Sequence, residues 1–301
     1  IDEVLNTKVS IEDKPDTKAN PVANGEVAFE HVSFAYPGAK ENVLEDISFV
    51  AKTGQTTAII GGTGSGKTTL VNLIPRFFDV TKGKVMVDGT DIREMSQESL
   101  REAIGYVPQK GVLFSGTIAS NLRYGKEDAT KEQVMDAARI AQAKEIIDGK
   151  KDGLDSAIAQ GGSNVSGGQK QRFSIARAIV KDPKIYIFDD SFSALDYKTD
   201  AILRRELSKK TKEAAVIIVA QRISTILHAD KIIVLEEGRI AGIGTHEELL
   251  AGCETYQEIA SSQLSEAELK GGVRLSGDGR IPTFRSGYCQ IKSTGKGGYV
   301  I

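Results

Sequence analysis

The stretch Ile59-Ile60-Gly61-Gly62-Thr63-Gly64-Ser65-Gly66-Lys67-Thr68-Thr69 limits what this chain can fold into more than any other. It fits G-x-x-x-x-G-K-[ST]. A short apolar run, Thr57 to Ile60, precedes it and a helix-compatible segment, Leu70 to Ile74, follows it. Strand, loop and helix in that order are the context in which such a loop binds phosphate. The glycines let the backbone turn tightly and aim N–H groups at phosphate oxygens, at the positive end of a helix. Lys67 is then placed to reach the β- and γ-phosphates, and the Thr68 hydroxyl to ligate Mg²⁺. A nucleoside triphosphate and Mg²⁺ are the expected ligands.

Around that loop the chain divides by pattern. From Val27 to Phe49 apolar positions alternate at short range around a Tyr36-Pro37-Gly38 turn, and Gly83 to Asp91 reads as a hairpin turning at Asp88-Gly89. Together they predict an antiparallel β subdomain. From about Gln97 to Gly161 the pattern is mostly helical, interrupted by a strand over Ile104 to Val107 that stops at Pro108. Val134, Ala137, Ala138, Ile140 and Ala141 recur at helical spacing, which predicts a packed helical subdomain over about 110–180. Beyond Phe173, helix and strand alternate, with strands expected over 185–188, 216–219 and 232–235, a hairpin at Glu236 to Arg239 and a capped terminal helix at Thr245 to Leu250. Such alternation predicts a parallel sheet with helices on both faces and phosphate at its carboxyl end.

Composition narrows the partners. A net charge of −2 gives no electrostatic argument for nucleic-acid binding, and none is expected. Cys253 and Cys289 are too few for a disulfide framework. His31, His228 and His246 show no metal-ligand spacing. No apolar run is long enough to span a membrane. Residues 1–25 read as a helix end and a polar, Pro-containing linker, 26–255 as the folded domain, and 256–301 as a C-terminal extension, a flexible or appended tail.

Two further motifs carry chemistry. Four apolar residues, Ile185 to Phe188, lead into Asp189, so a buried strand brings a carboxylate beside Thr68 to hold Mg²⁺. Ser166-Gly167-Gly168-Gln169, about twenty residues earlier, is a second phosphate cradle at a helix N-terminus. One chain cannot easily use two cradles on one γ-phosphate, so a second subunit is implied.

At this point the sequence resembles the nucleotide-binding domain of an ABC transporter of the exporter type, from about Ile1 to Leu250. The resemblance implies an α/β P-loop ABC ATPase fold, with a RecA-like core, an antiparallel β subdomain and an α-helical subdomain. It implies ATP and Mg²⁺ as cofactors. By the same resemblance Gly61, Gly62, Thr63, Gly64, Ser65, Gly66, Lys67, Thr68 and Thr69 cradle the phosphates, and Tyr36 matches the aromatic that stacks on adenine. Thr68, Gln109 and Asp189 match the residues around the metal, and Gln109 also couples to the membrane domains. Ser166, Gly167, Gly168 and Gln169 close over a partner's ATP, and Ser193 to Asp196 matches the loop that crosses to the opposing subunit. Val112 to Ile118 resembles the exporter version of the segment after that glutamine. Ile1 to Leu5 is similar to the segment leaving the last membrane helix, so a transmembrane domain is expected before Ile1. The expected place is then the cytoplasmic face of the cell membrane.

Two catalytic positions depart from the family pattern. Asp190 stands where the family has a catalytic glutamate, and its carboxylate is drawn back by about 1.5 Å. A displacement of ~1 Å can cost ~10²-fold in rate. Gln221 stands where the family has histidine; it still donates a hydrogen bond but cannot become cationic near neutral pH. Lys67 and Gln109, with Asp190 and Gln221, form the expected catalytic set. Val165 also replaces the usual leucine of the signature. The pattern suggests the degenerate subunit of a heterodimeric multidrug exporter, with one slow site and one competent site. The alternatives are a regulatory ATP-binding module with little hydrolysis, a soluble ABC-type ATPase acting on nucleic acid or ribosomes, and an importer ATPase.

Overall fold

The computed structural model describes residues 11–14, 17, 21–264, 293–294 and 298–299. Two sheets organise the chain. The first is antiparallel, in the order β2-β1-β4-β5, from β1 (Val27–Phe34), β2 (Leu44–Ala51), β4 (Lys82–Val87) and β5 (Thr90–Asp91). The expected Asp88-Gly89 turn joins its last two strands. The second has six strands in the order β12-β11-β3-β10-β9-β6. It comprises β3 (Thr56–Gly61), β6 (Ile104–Val107), β9 (Ile185–Asp189), β10 (Ala215–Val219), β11 (Lys231–Glu236) and β12 (Arg239–Gly244). All its pairings are parallel except β11 with β12, the predicted hairpin.

Strands buried on both faces need apolar side chains at every position rather than alternate ones. All five residues of β9, Ile-Tyr-Ile-Phe-Asp, are buried, and so are all five of β10. Successive side chains point to opposite sides of the sheet. Ile59, Ile187 and Ile217 therefore pack with Leu70 and Leu73 of α1 (Lys67–Leu73) and with Phe29 and Phe49 of the antiparallel sheet. Ile60, Phe188 and Ile218 pack with the helical half of the molecule. Each fully buried side chain of this size contributes about 1.5–3 kcal/mol of transfer free energy.

The helical subdomain follows β6. It holds α3 (Ile118–Arg123), α4 (Lys131–Ile140), α5 (Lys144–Asp148) and the first part of α6 (Gly167–Lys181), with α2 (Gln97–Glu102) lying before β6. The expected stripe of Val134, Ala137, Ala138 and Ile140 is the buried face of α4, against which α6 packs. After β9 come α7 (Tyr197–Lys210), the short α8 (Ile223–Ile226), α9 (His246–Gly252) and α10 (Glu254–Ser261).

Two expectations change at the ends. The capped helix at Thr245 forms as α9 but is not terminal. A boundary at 255 would cut α10, whose Tyr256 and Ala260 are buried, so the folded unit runs on to about Leu264. A terminal reading of α9 failed because α10 buries only a narrow stripe of an otherwise polar sequence. At the other end, Asp13 accepts hydrogen bonds from the Gln97 backbone N–H (3.0 Å) and Gln97 Nε2 (3.1 Å), and lies 3.7 Å from Arg76 Nη1. Part of the expected linker is thus docked on the domain. The helical pattern at Ile1 to Leu5 and most of the expected tail lie outside the described residues.

Candidate active site

Strand register places the site. Val219 of β10 lies opposite Ile59 of β3 on one side and Asp189 of β9 on the other. The phosphate loop, the Asp189-Asp190 pair and the turn after β10 therefore leave the sheet at the same end, the carboxyl end expected for a ligand crevice.

The loop itself fits a polyphosphate. Gly61 adopts φ +159° and its missing Cβ would lie 2.1 Å from the Leu235 carbonyl oxygen, so no other residue is tolerated there. At Gly64 (φ +82°) a Cβ would meet nothing within 4 Å, so there is open space beside the loop at that position. Lys67 Nζ donates to the carbonyls of Gly61 (3.0 Å) and Gly62 (2.7 Å). Burial pushes the Lys67 pKa down, against the attraction of Asp190 and Asp189. Tyr36 shares a 2.9 Å hydrogen bond with Thr69 and packs edge-on against Phe34 and Phe78, so its ring stands beside the loop.

The metal half of the site is built from hydroxyls. Thr68 Oγ1 donates to Asp189 Oδ1 at 3.1 Å, and the Tyr106 hydroxyl reaches Asn72 Oδ1 (2.9 Å) and Asp189 Oδ2 (3.4 Å). Burial raises the Asp189 pKa, the two hydroxyls acting in the other direction. A hydroxyl and a buried carboxylate that lacks a full counter-charge suit Mg²⁺, which takes one or two protein oxygens and completes its shell with phosphates and water. The residues present therefore fit the ion, which Thr68 and Asp189 would hold.

The neighbouring carboxylate, Asp190, is held by amides. Gln109 Nε2 (3.0 Å) and Gln221 Nε2 (2.7 Å) both donate to the same oxygen, Asp190 Oδ2. Asp190 is 7% exposed and adopts φ +46°, left-handed backbone that a non-glycine residue occupies only when its surroundings enforce it. Its N–H donates to the Val219 carbonyl at 3.0 Å, and its carbonyl accepts from Ser193 Oγ at 2.8 Å. Gln109 thus bonds to Asp190 rather than to Thr68 or Asp189.

The second cradle stands apart from this cluster. Ser166 caps α6 in a reciprocal box, its Oγ accepting from the Gln169 N–H while Gln169 Oε1 accepts from the Ser166 N–H. Among the described residues, no hydrogen bond joins Ser166 to Gln169 with Lys67, Thr68 or Asp190. Gly168 instead lies against the Ala194 carbonyl. Asp196 caps α7 through Thr199, so the Ser193 to Asp196 turn runs from the acid pair into α7 and passes the start of α6 at Gly168.

Sequence reasoning missed the supports. Asn72 lies four residues after Thr68, on the same face of α1, and helical spacing could have singled it out. Gln171 Nε2 donates to the Pro108 carbonyl and Ser191 Oγ to the Val107 carbonyl, fixing the chain on the approach to Gln109. Neither contact has a short-range sequence signal.

With this geometry in hand, the comparisons with known proteins are direct. Residues 44–193 match the family described as ABC transporter. The chain is 50% identical over 278 residues to an uncharacterized ABC transporter ATP-binding protein of Mycobacterium tuberculosis, covering 91% of this chain and 47% of the relative. It is 45% identical over 252 residues to a putative multidrug export ATP-binding/permease protein of Bacillus subtilis, covering 83% and 43%. Among solved structures, a bacterial Atm1-family ABC exporter with ATP bound superposes with a TM-score of 0.84 at 36% identity, over 88% of this chain and 46% of that one. The chain spans about half the length of the relatives it matches.

Proposed function

The chain carries an ABC transporter ATP-binding domain of the exporter type, and from that premise we propose that it binds Mg-ATP tightly and hydrolyses it slowly to power export through nucleotide-driven dimerisation. ATP occupies the Gly61 to Thr69 cradle with its adenine on Tyr36. Lys67 meets the β- and γ-phosphates, and Thr68 and Asp189 hold Mg²⁺. The ion, when bound, neutralises charge developing on the transferred phosphoryl group. Asp190 orients the attacking water from a carboxylate with a shorter reach than glutamate, and Gln109 and Gln221 hold that carboxylate in place.

The observation that carries the slow-site reading is the paired amide contact on Asp190 Oδ2. Two neutral amides fix the carboxylate but supply no group that exchanges a proton near neutral pH. Ser166 to Gln169 assists hydrolysis on a second nucleotide-binding domain carried by a different subunit, and that subunit's signature closes over the site described above. A regulatory role, in which the bound ATP mainly clamps the dimer, rests on the same contact.

The Gln109 region passes closure on to a transmembrane domain at the cytoplasmic face of the membrane. Val112 (51% exposed), Phe114 (46%) and Tyr124 (71%) support this. Phe114 and Tyr124 pack on one another 4.8 Å apart over the Arg177 guanidinium, and exposed apolar clusters of this kind mark contact surfaces.

The test is ATP binding and turnover by the unmodified chain, alone and mixed with a candidate partner domain. Tight Mg-dependent binding, slow turnover alone and faster turnover in the mixture are expected. Fast turnover by the chain alone would overturn the slow-site reading.

A further inference from the structure

The turn that carries Gln221 is held from an unexpected direction. Beyond α10, the Gln263 side chain lies alongside this turn: its Oε1 accepts from the Ile223 N–H at 2.8 Å, and its Nε2 donates to the Gln221 carbonyl at 2.8 Å. One side-chain amide thus replaces a rung of a sheet ladder, satisfying a backbone acceptor and a backbone donor that flank Arg222. Such groups need partners wherever secondary structure stops, and here the Gln221 turn follows directly on the end of β10 at Val219.

We infer that Gln263 is a positioning residue for ATP hydrolysis, acting through Gln221 on Asp190. The chain of contacts is continuous. The Gln263 amide fixes the backbone of Gln221, Gln221 Nε2 donates to Asp190 Oδ2 at 2.7 Å, and Asp190 is the carboxylate that faces the attacking water in the proposed reaction. Gln263 is itself surface-exposed, and both of its recorded bonds go to the turn, so it touches no group expected to meet nucleotide. Its anchorage is firm. Tyr256 and Ala260 of α10 are fully buried, Leu264 packs on the same core, and the Leu264 N–H bonds to the Ala260 carbonyl at 2.8 Å. The end of the folded domain is thereby tied to the hydrolytic half of the site, and anything that displaces α10 moves Gln221.

This inference rests on the reading of Asp190 and Gln221 as the hydrolytic pair. It is tested in the full chain by a double-mutant cycle on single-turnover conversion of prebound Mg-ATP, with equilibrium ATP affinity measured alongside. Gln263→Ala is expected to slow conversion about threefold to tenfold with ATP affinity unchanged, and to have no further effect in a Gln221→Ala background, because the two act as a unit. Gln263→Glu keeps the acceptor for the Ile223 N–H but donates to the Gln221 carbonyl only when protonated. Its deficit should therefore shrink toward acid pH, which a simple loss of packing would not reproduce. Hydrogen exchange at the Ile223 amide should quicken in Gln263→Ala with little change in melting temperature. Equal slowing in the wild-type and Gln221→Ala backgrounds, or unchanged conversion in Gln263→Ala, would overturn the inference. Failure of the unmodified chain to bind Mg-ATP would instead overturn the proposed function.

Discussion

Asp189 and Asp190 are sequence neighbours of the same residue type, both nearly buried, and the molecule treats them in opposite ways. Asp189 ends a strand in extended backbone and meets two hydroxyls, those of Thr68 and Tyr106, which carry no charge to oppose its own. Asp190 begins a turn in left-handed backbone and meets two amides whose donors converge on one oxygen. The first arrangement leaves a charge that burial disfavours and a metal would relieve; the second leaves a carboxylate already held by its neighbours. In the proposed reaction one residue type would thus serve metal binding at one position and slow hydrolysis at the next, the difference lying in the partners and the backbone.

Substitutions at and around the two carboxylates should have unequal effects. Lys67→Ala removes the cation from the phosphate cradle and should lower hydrolysis by about 10²–10³-fold, as loss of a transition-state donor does, measured as turnover at saturating ATP. Asp189→Asn should weaken Mg²⁺ dependence of ATP binding by about 10–100-fold. The ligand-free domain should melt no lower, because a carboxylate that burial disfavours has been neutralised.

The pH dependence of Asp189 carries the same sign. An acid whose folded pKa is raised binds more protons folded than unfolded, so its charge costs stability as pH rises from its ordinary 3.8 through the raised value. Metal binding needs the charged form, so Mg-dependent ATP affinity should fall as pH drops through that same window. Titrating ATP affinity with and without Mg²⁺ checks it. Gln221→His should raise turnover a few-fold and introduce a pH dependence near the ordinary histidine value of about 6.5, absent from the unmodified chain. Tyr106→Phe should have the smallest effect, a loss of Mg²⁺ affinity of about twofold to fivefold, in keeping with the long 3.4 Å contact to Asp189.

Much of this was legible in the sequence because local pattern and chemistry coincide there. The loop, its preceding strand and the apolar run into Asp189 each carry a short-range signature, and the structure places all three at one end of the sheet. Asp190 and Gln221 also stood out, since each departs from the family pattern at a catalytic position. Their convergence on one another, with Gln109, was not readable, because it depends on the order β3-β10-β9-β6 and on contacts between residues far apart in sequence. Gln263 was hidden for a different reason. It follows a helix whose buried stripe is narrow, and its contact with residue 221 spans 42 positions of sequence. The polar surroundings of α10 invited a domain boundary at 255, whereas Tyr256 and Ala260 carry the fold past it.

In the proposed reaction the site binds ATP well and turns it over slowly because the carboxylate at position 190 is short and held by amides. Asp190→Glu tests it most directly, by single-turnover conversion of prebound Mg-ATP alongside equilibrium binding. Conversion should rise about tenfold with affinity unchanged, short of the ~10²-fold a 1 Å correction can give, because Gln221 still occupies its place. Unchanged conversion in Asp190→Glu, or an unmodified chain that already converts ATP as fast as the variant, would contradict the account.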